Sequence, residues 1–171
     1  MGWQPQDELA QSVALEVLLH GPLGRSELAR RLSLAPATLT RISTDLIASG
    51  LLTEVRSTRT GTSGRPSIPL AVVPDSHHFL GIKVADDCLT SAVINLKAQV
   101  LSYDQLPLPT HSPKDVVEGI ASLARQAEKS FRIDAIGVGI GGVVTDQGII
   151  RSAPFLEWED VDLVGLLREH I

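Results

Sequence analysis

The sequence predicts two parts of different class: a mainly α domain closed by a β-hairpin over residues 1–74, and an α/β domain over residues 75–171. Three observations carry this reading. Apolar residues recur at helical spacing in three short segments within the first fifty positions. From Pro74 onward, strand-like apolar runs joined by short polar turns take over. The charge also divides: residues 1–74 hold seven arginines and six acidic residues, whereas residues 75–171 hold eight basic and fourteen acidic ones, which together give the net charge of −5.

Composition bounds the function classes. With 171 residues, 43% apolar and 20% charged, and a mean hydropathy of +0.15, the chain can bury a core, and disorder is excluded. The single cysteine, Cys88, has no internal partner, and no paired Cys/His run offers zinc spacing. No apolar stretch approaches the ~20 residues that cross a bilayer, and the N-terminus lacks a basic segment followed by an apolar core. The expectation is a soluble cytoplasmic protein with no membrane partner, metal or cofactor.

In the first part, DELAQSVALEVLLHG starts with Asp7 as a candidate N-cap, repeats apolar residues every four positions, and stops at Gly21-Pro22. GRSELARRLSL follows, with Gly24 as N-cap and Glu27 placed to satisfy free N–H groups of the first turn. Pro36 suits the first turn of a third helix, whose Leu39, Ile42, Leu46 and Ile47 form one apolar stripe ending at Gly50. Two β-type runs, 51–56 and 68–73, flank the polar segment STRTGTSGRPS and read as a hairpin with a long tip. Helix, helix, turn, helix and a basic-tipped hairpin is the order of a winged helix-turn-helix.

In the second part, HFLGIKV, CLTSAVINL and AQVLSYDQLPL predict an antiparallel meander. A helix then carries Val116, Val117, Ile120, Leu123 and Ala124, and AIGVGIGG is a strand ending in glycines. A hairpin is expected around Asp146-Gln147-Gly148, and Asp162 is placed to cap a last helix.

With Leu39, Ile42 and Leu46 turned inward at about 100° per residue, the third helix presents Ala37, Arg41, Thr44 and Ala48 outward, with Thr40 and Asp45 beside them. Small and hydroxyl-bearing residues let a helix enter the major groove closely, and an arginine can donate twice to guanine; an ordinary solvated helix face has a similar composition. The candidate base readers are Thr38, Thr40, Arg41 and Thr44. Arg59 and Arg65 in the hairpin tip suit a narrow minor groove, although a Gly-Arg-Pro also ends many solvent loops. Arg25 and Ser26, at the start of the second helix, are expected to touch phosphates. The partner is double-stranded operator DNA, bound by a two-fold homodimer.

The glycine cluster from Gly137 to Gly142 lacks the spacing of a dinucleotide-binding turn, so Gly141 and Gly142 either line a ligand or make a tight turn. Trp158, among acidic residues, is an exposed recognition aromatic or a packed indole in a loop. His77-His78 does not close a metal shell, and no Ser/His/Asp or Cys/His set supports catalysis.

The helix-turn-helix followed by TGTSGRPSIPLAVVPDSHHFLGIKVADDCLTSAVINL and IGVGIGGVVTDQGIIRSAPFLEWEDVDLVGLL resembles the repressor branch of the ROK family (repressors, open reading frames and kinases). The resemblance implies a bacterial regulator, a repressor of sugar-related genes, whose winged helix-turn-helix is fused to an actin-like, sugar-kinase-like ATPase fold (ribonuclease H-like) that senses a sugar or sugar phosphate. It also implies that residues 75–171 are an incomplete, inactive part of that fold. The family's kinases open their first strand with an acid and a glycine-rich phosphate turn, where this sequence has Lys83-Val84-Ala85-Asp86-Asp87, with carboxylates that repel phosphate oxygens. Phe155 and Glu157 stand where the kinases often carry Asn and Gly near the sugar. Two alternatives stay open at this point: a glucokinase-like ROK sugar kinase with an appended helix-turn-helix, and a bare DNA-binding module whose α/β part only mediates association.

Overall fold

The computed structural model describes residues 8–56 and 68–170, in two compact units, Met1–Ser76 and His77–Ile171.

In the first unit, α1 (Glu8–His20), α2 (Arg25–Arg31) and α3 (Pro36–Ala48) share one apolar core with a small sheet. Val13 and Val17 of α1, Leu28 of α2, and Leu39, Ile42 and Leu46 of α3 are all buried. Leu9, four positions before Val13 in the apolar repeat of α1, is 42% exposed. Two strands of the sheet, β2 (Leu52–Glu54) and β3 (Pro69–Val72), form the expected hairpin, with Leu52 opposite Val72 and Glu54 opposite Leu70. The third, β1 (Leu23–Gly24), pairs with β3 on its other side through Leu23 and Leu70, so the order is β1-β3-β2. The mainly α expectation does not hold over the described residues, where helix takes 40% and strand 34%: the second unit supplies most of the strand, and the helical unit itself carries a small three-stranded sheet.

Gly24 is the N-cap of α2 but provides no side-chain cap. Glu27 does not serve the free N–H groups. Its carboxylate takes Arg30 Nη2 and Arg31 Nε at 2.7 Å each, and Arg31 reaches Glu16 on α1 at 2.8 Å. Hydrogen bonds from Arg30 and then Arg31 hold the Glu27 carboxyl below its ordinary value. A carboxyl depressed in the folded state stabilises above its unfolded value, about 4.3, and that contribution is lost as pH falls through the folded value. Glu27→Gln is therefore expected to flatten the loss of stability between neutral and acid pH, read by urea unfolding at a series of pH values; an unchanged profile contradicts the assignment.

In the second unit, β4 (His78–Val84), β5 (Cys88–Asn95) and β6 (Val100–Pro107) form the antiparallel meander, and β7 (Ile133–Ile140) joins β4 in parallel after the crossover helix α4 (Pro113–Glu128). The order is β6-β5-β4-β7. Helix α4 starts at Ser112, whose Oγ accepts the Asp115 N–H at 3.1 Å, while the Asp115 carboxylate accepts the Ser112 and Thr110 hydroxyls. Its Val116, Val117, Ile120, Leu123 and Ala124 join Leu80, Ile82, Val84, Leu89 and Val93 of the sheet in the core. Strands β8 (Val143–Val144), β9 (Ile149–Ala153) and β10 (Trp158–Asp162) make a second small sheet, with Gly148 at φ +81° in the expected hairpin turn. Asp162 caps α5 (Leu163–Arg168) by accepting the Gly165 N–H at 2.8 Å. No helix among the described residues is long and apolar enough to cross a membrane.

Candidate nucleic-acid interface

Helix α3 is amphipathic, and its polar side is built from small groups. Ala37, Thr40, Arg41, Thr44, Asp45 and Ala48 are exposed, and Thr38 is half-buried. The Arg41 side chain is 63% exposed and its Nη1 lies 3.6 Å from Asp45 Oδ2, one turn on. An exposed pair of that kind contributes about 0.3–0.5 kcal/mol. Thr40 Oγ1 donates to the Pro36 carbonyl at 2.8 Å, and Thr44 Oγ1 donates to the Thr40 carbonyl at 2.9 Å. With both hydroxyl protons committed to the helix, these threonines present lone pairs and methyl groups, which suit an exocyclic amino group or a thymine methyl. Thr44→Val, which keeps the shape and removes the acceptor, is expected to lower affinity for a cognate site by about 1 kcal/mol, measured by fluorescence anisotropy on a labelled duplex.

Two signals were not visible in the spacing. Ser43 is fully buried although it is polar; its Oγ donates to the Thr40 carbonyl at 3.0 Å and accepts Arg25 Nε at 3.1 Å. Arg25, expected at a phosphate, also pairs with Glu54 Oε1 at 2.8 Å, with 30% of its side chain exposed. Ser26 is exposed at the start of the seven-residue α2. Arg59 and Arg65 lie outside the described residues.

In the second unit, Gly141 is exposed, and a Cβ there would only touch the Phe155 ring. Gly142 is different, because a Cβ there would collide with the Ser152 carbonyl oxygen and its carbon. Close approach of two backbones accounts for that glycine without a ligand. An apolar cavity of about 380 Å³ lies between α4, β7, β9 and α5, lined by residues including Ile120, Val138, Ile150 and Leu167, and neither glycine borders it.

Lys83 is exposed on β4, opposite Thr90 and Gly139. In the turn that follows, Asp86 and Asp87 are exposed, and His111 Nε2 donates to the Asp86 carbonyl at 2.7 Å while lying 3.2 Å from its carboxylate. Two exposed carboxylates at this turn disfavour a polyphosphate. Trp158 is 3% exposed, and its Nε1 donates to the His111 carbonyl at 2.6 Å. It is a core residue at the start of β10, not an exposed recognition aromatic. The His78 ring packs 5.4 Å from that of Phe131, and no cluster of three or more metal-ligating side chains occurs among the described residues.

Comparison with known proteins adds an independent line. The ROK family profile matches residues 79–171. The DNA-binding transcriptional dual regulator NagC of Escherichia coli K12 is 29% identical over 156 residues, 88% of this chain and 38% of its own length. The DNA-binding transcriptional repressor Mlc of the same organism is 26% identical over 157 residues, 88% of this chain and 39% of its length. The chain thus spans about two fifths of the curated relatives it matches. A crystal structure of a ROK family transcriptional regulator, described as a homologue of E. coli Mlc, superposes with a TM-score of 0.75 at 24% identity, covering 95% of this chain and 42% of its own. That likeness shows a shared fold.

Proposed function

The chain belongs to the ROK family, and from that premise we propose that it is a sequence-specific DNA-binding transcriptional regulator. The first unit is read as a winged helix-turn-helix, in which α2 and α3 are the two helices and the β2–β3 hairpin is the wing. The carrying observation is the exposed side of α3, where Ala37, Thr40, Thr44 and Ala48 leave room for base edges around an accessible Arg41. Thr38 stands at the edge of that surface, Ser26 is placed for phosphate contact, and Arg59 and Arg65 would serve the wing in the minor groove. Action as a repressor, a two-fold homodimer on a palindromic operator, and a sugar or sugar-phosphate effector sensed through the second unit complete the reading.

Selection of duplexes from a random pool by the purified chain tests it. An enriched motif with two half-sites related by two-fold symmetry is expected, with affinity at least about a thousandfold above random DNA at physiological salt. Equal affinity for all sequences refutes it. A kinase reading would require productive ATP binding at the turn after β4, where Asp86 and Asp87 stand. No ATP-dependent phosphorylation of hexoses is expected, and measurable turnover in a coupled assay contradicts the argument drawn from that turn.

A further inference from the structure

We propose that Arg25 is a positioning residue that locks the base of the β2–β3 hairpin to the reading side of α3, and is not a phosphate contact. This rests on the DNA-binding reading of the first unit. The geometry is a continuous chain of polar contacts. Glu54, the last residue of β2, pairs with Arg25 at 2.8 Å. Arg25 Nε donates to Ser43 Oγ at 3.1 Å, and Ser43 Oγ donates to the Thr40 carbonyl at 3.0 Å. The same carbonyl accepts the Thr44 hydroxyl at 2.9 Å. The chain therefore begins where the hairpin leaves the sheet and ends at two of the candidate base readers.

The middle of this chain explains its rigidity. Ser43 is fully buried, so its hydroxyl must be satisfied within the protein, and it is satisfied twice, once as acceptor and once as donor. Arginine suits this place because its planar group presents Nε to one partner and Nη2 to another in fixed geometry, which a lysine does not reproduce. A guanidinium held from two sides is poorly free to follow a phosphate. Recognition that uses both a groove-reading helix and a wing depends on the angle between them, and this contact joins the two within one unit.

The two roles predict opposite signs at Glu54. If Arg25 neutralises a phosphate, Glu54→Gln removes a competing negative charge and raises affinity for DNA. If Arg25 is a clamp, Glu54→Gln frees one end and lowers affinity for the selected site. For the clamp, Arg25→Ala, Arg25→Lys and Glu54→Gln are each expected to weaken site binding about 5- to 30-fold, within the range of coupled neighbours, and the Ala/Gln double variant to be little worse than either single one. The slope of log K against log salt stays that of the unmodified chain, because no phosphate contact is lost. In DNA-free protein, amide exchange should rise at Leu52–Glu54 and across residues 40–44 in Arg25→Ala.

A slope reduced by about one unit in Arg25→Ala together with tighter binding by Glu54→Gln overturns the clamp in favour of a phosphate contact. Unchanged exchange in Arg25→Ala overturns it whatever the DNA results are. Should the unmodified chain show no sequence preference, the regulator reading fails by itself, and the exchange comparison still decides whether the clamp exists. Circular dichroism of each variant at the assay temperature fixes the folded fraction, so affinities refer to folded protein.

Discussion

Arg41→Ala is expected to reduce affinity for the selected operator by about 1 to 3 kcal/mol, roughly a 5- to 150-fold loss, while affinity for random duplex changes little. The Arg41 side chain is 63% exposed, and its Nη1 lies 3.6 Å from Asp45 Oδ2. Giving up that exposed pair for a guanine edge costs about 0.3–0.5 kcal/mol. A bidentate contact to guanine O6 and N7 is fixed in register by its neighbours, so the loss should concentrate at one base pair of each half-site. Competition titrations with operators substituted at each position locate it: the variant should become indifferent at a single position and keep its preferences elsewhere. Equal losses on specific and random DNA would assign Arg41 to the phosphate backbone.

Trp158→Ala carries the largest expected stability effect, about 3 to 5 kcal/mol on the second unit. The indole is 3% exposed within the core cluster that contains Leu156, Ile150 and Leu163. Its removal leaves a void among those residues and takes away the donor to the His111 carbonyl, which closes the segment leading into α4. Trp158→Phe keeps most of the apolar contact and loses the hydrogen bond, so about 1 to 2 kcal/mol is expected of it. Urea unfolding followed by far-ultraviolet circular dichroism, with amide exchange on β4 and β9 to assign the transition to this unit, measures both. Should Ala and Phe cost the same, the packing account of this residue is wrong.

The elements legible in the sequence were those whose signal is local. The stripe Leu39, Ile42, Leu46 is set by neighbours three and four positions away, and it is buried as its periodicity requires. Asp162 caps α5 through a bond to Gly165, three residues on. Strand β1 was invisible because two residues have no period; Leu23-Gly24 becomes a strand only by meeting Pro69-Leu70. The same holds for the candidate site. The exposed side of α3 follows from its inner stripe, but the fate of Arg25 depends on Ser43 and Glu54, eighteen and twenty-nine positions away. A basic residue at a helix start reads as a phosphate ligand until its partners are known. Gly142 required the Ser152 carbonyl to be explained, and Trp158 required His111.

The parallel pairing of β4 with β7 has a consequence for the order of events during synthesis. His78, at the start of β4, meets Ile133 on β7, so the central strand remains open on one side until the ribosome has passed the crossover helix and released the chain to about residue 140. The described strands of the first unit, by contrast, all have their partners once Val72 has emerged. Domains fold as units during translation, and non-local parallel pairing is slow. The first unit can therefore complete its fold while the second still displays an unpaired strand, and that interval is when the nascent chain is most exposed to mispairing and to chaperones.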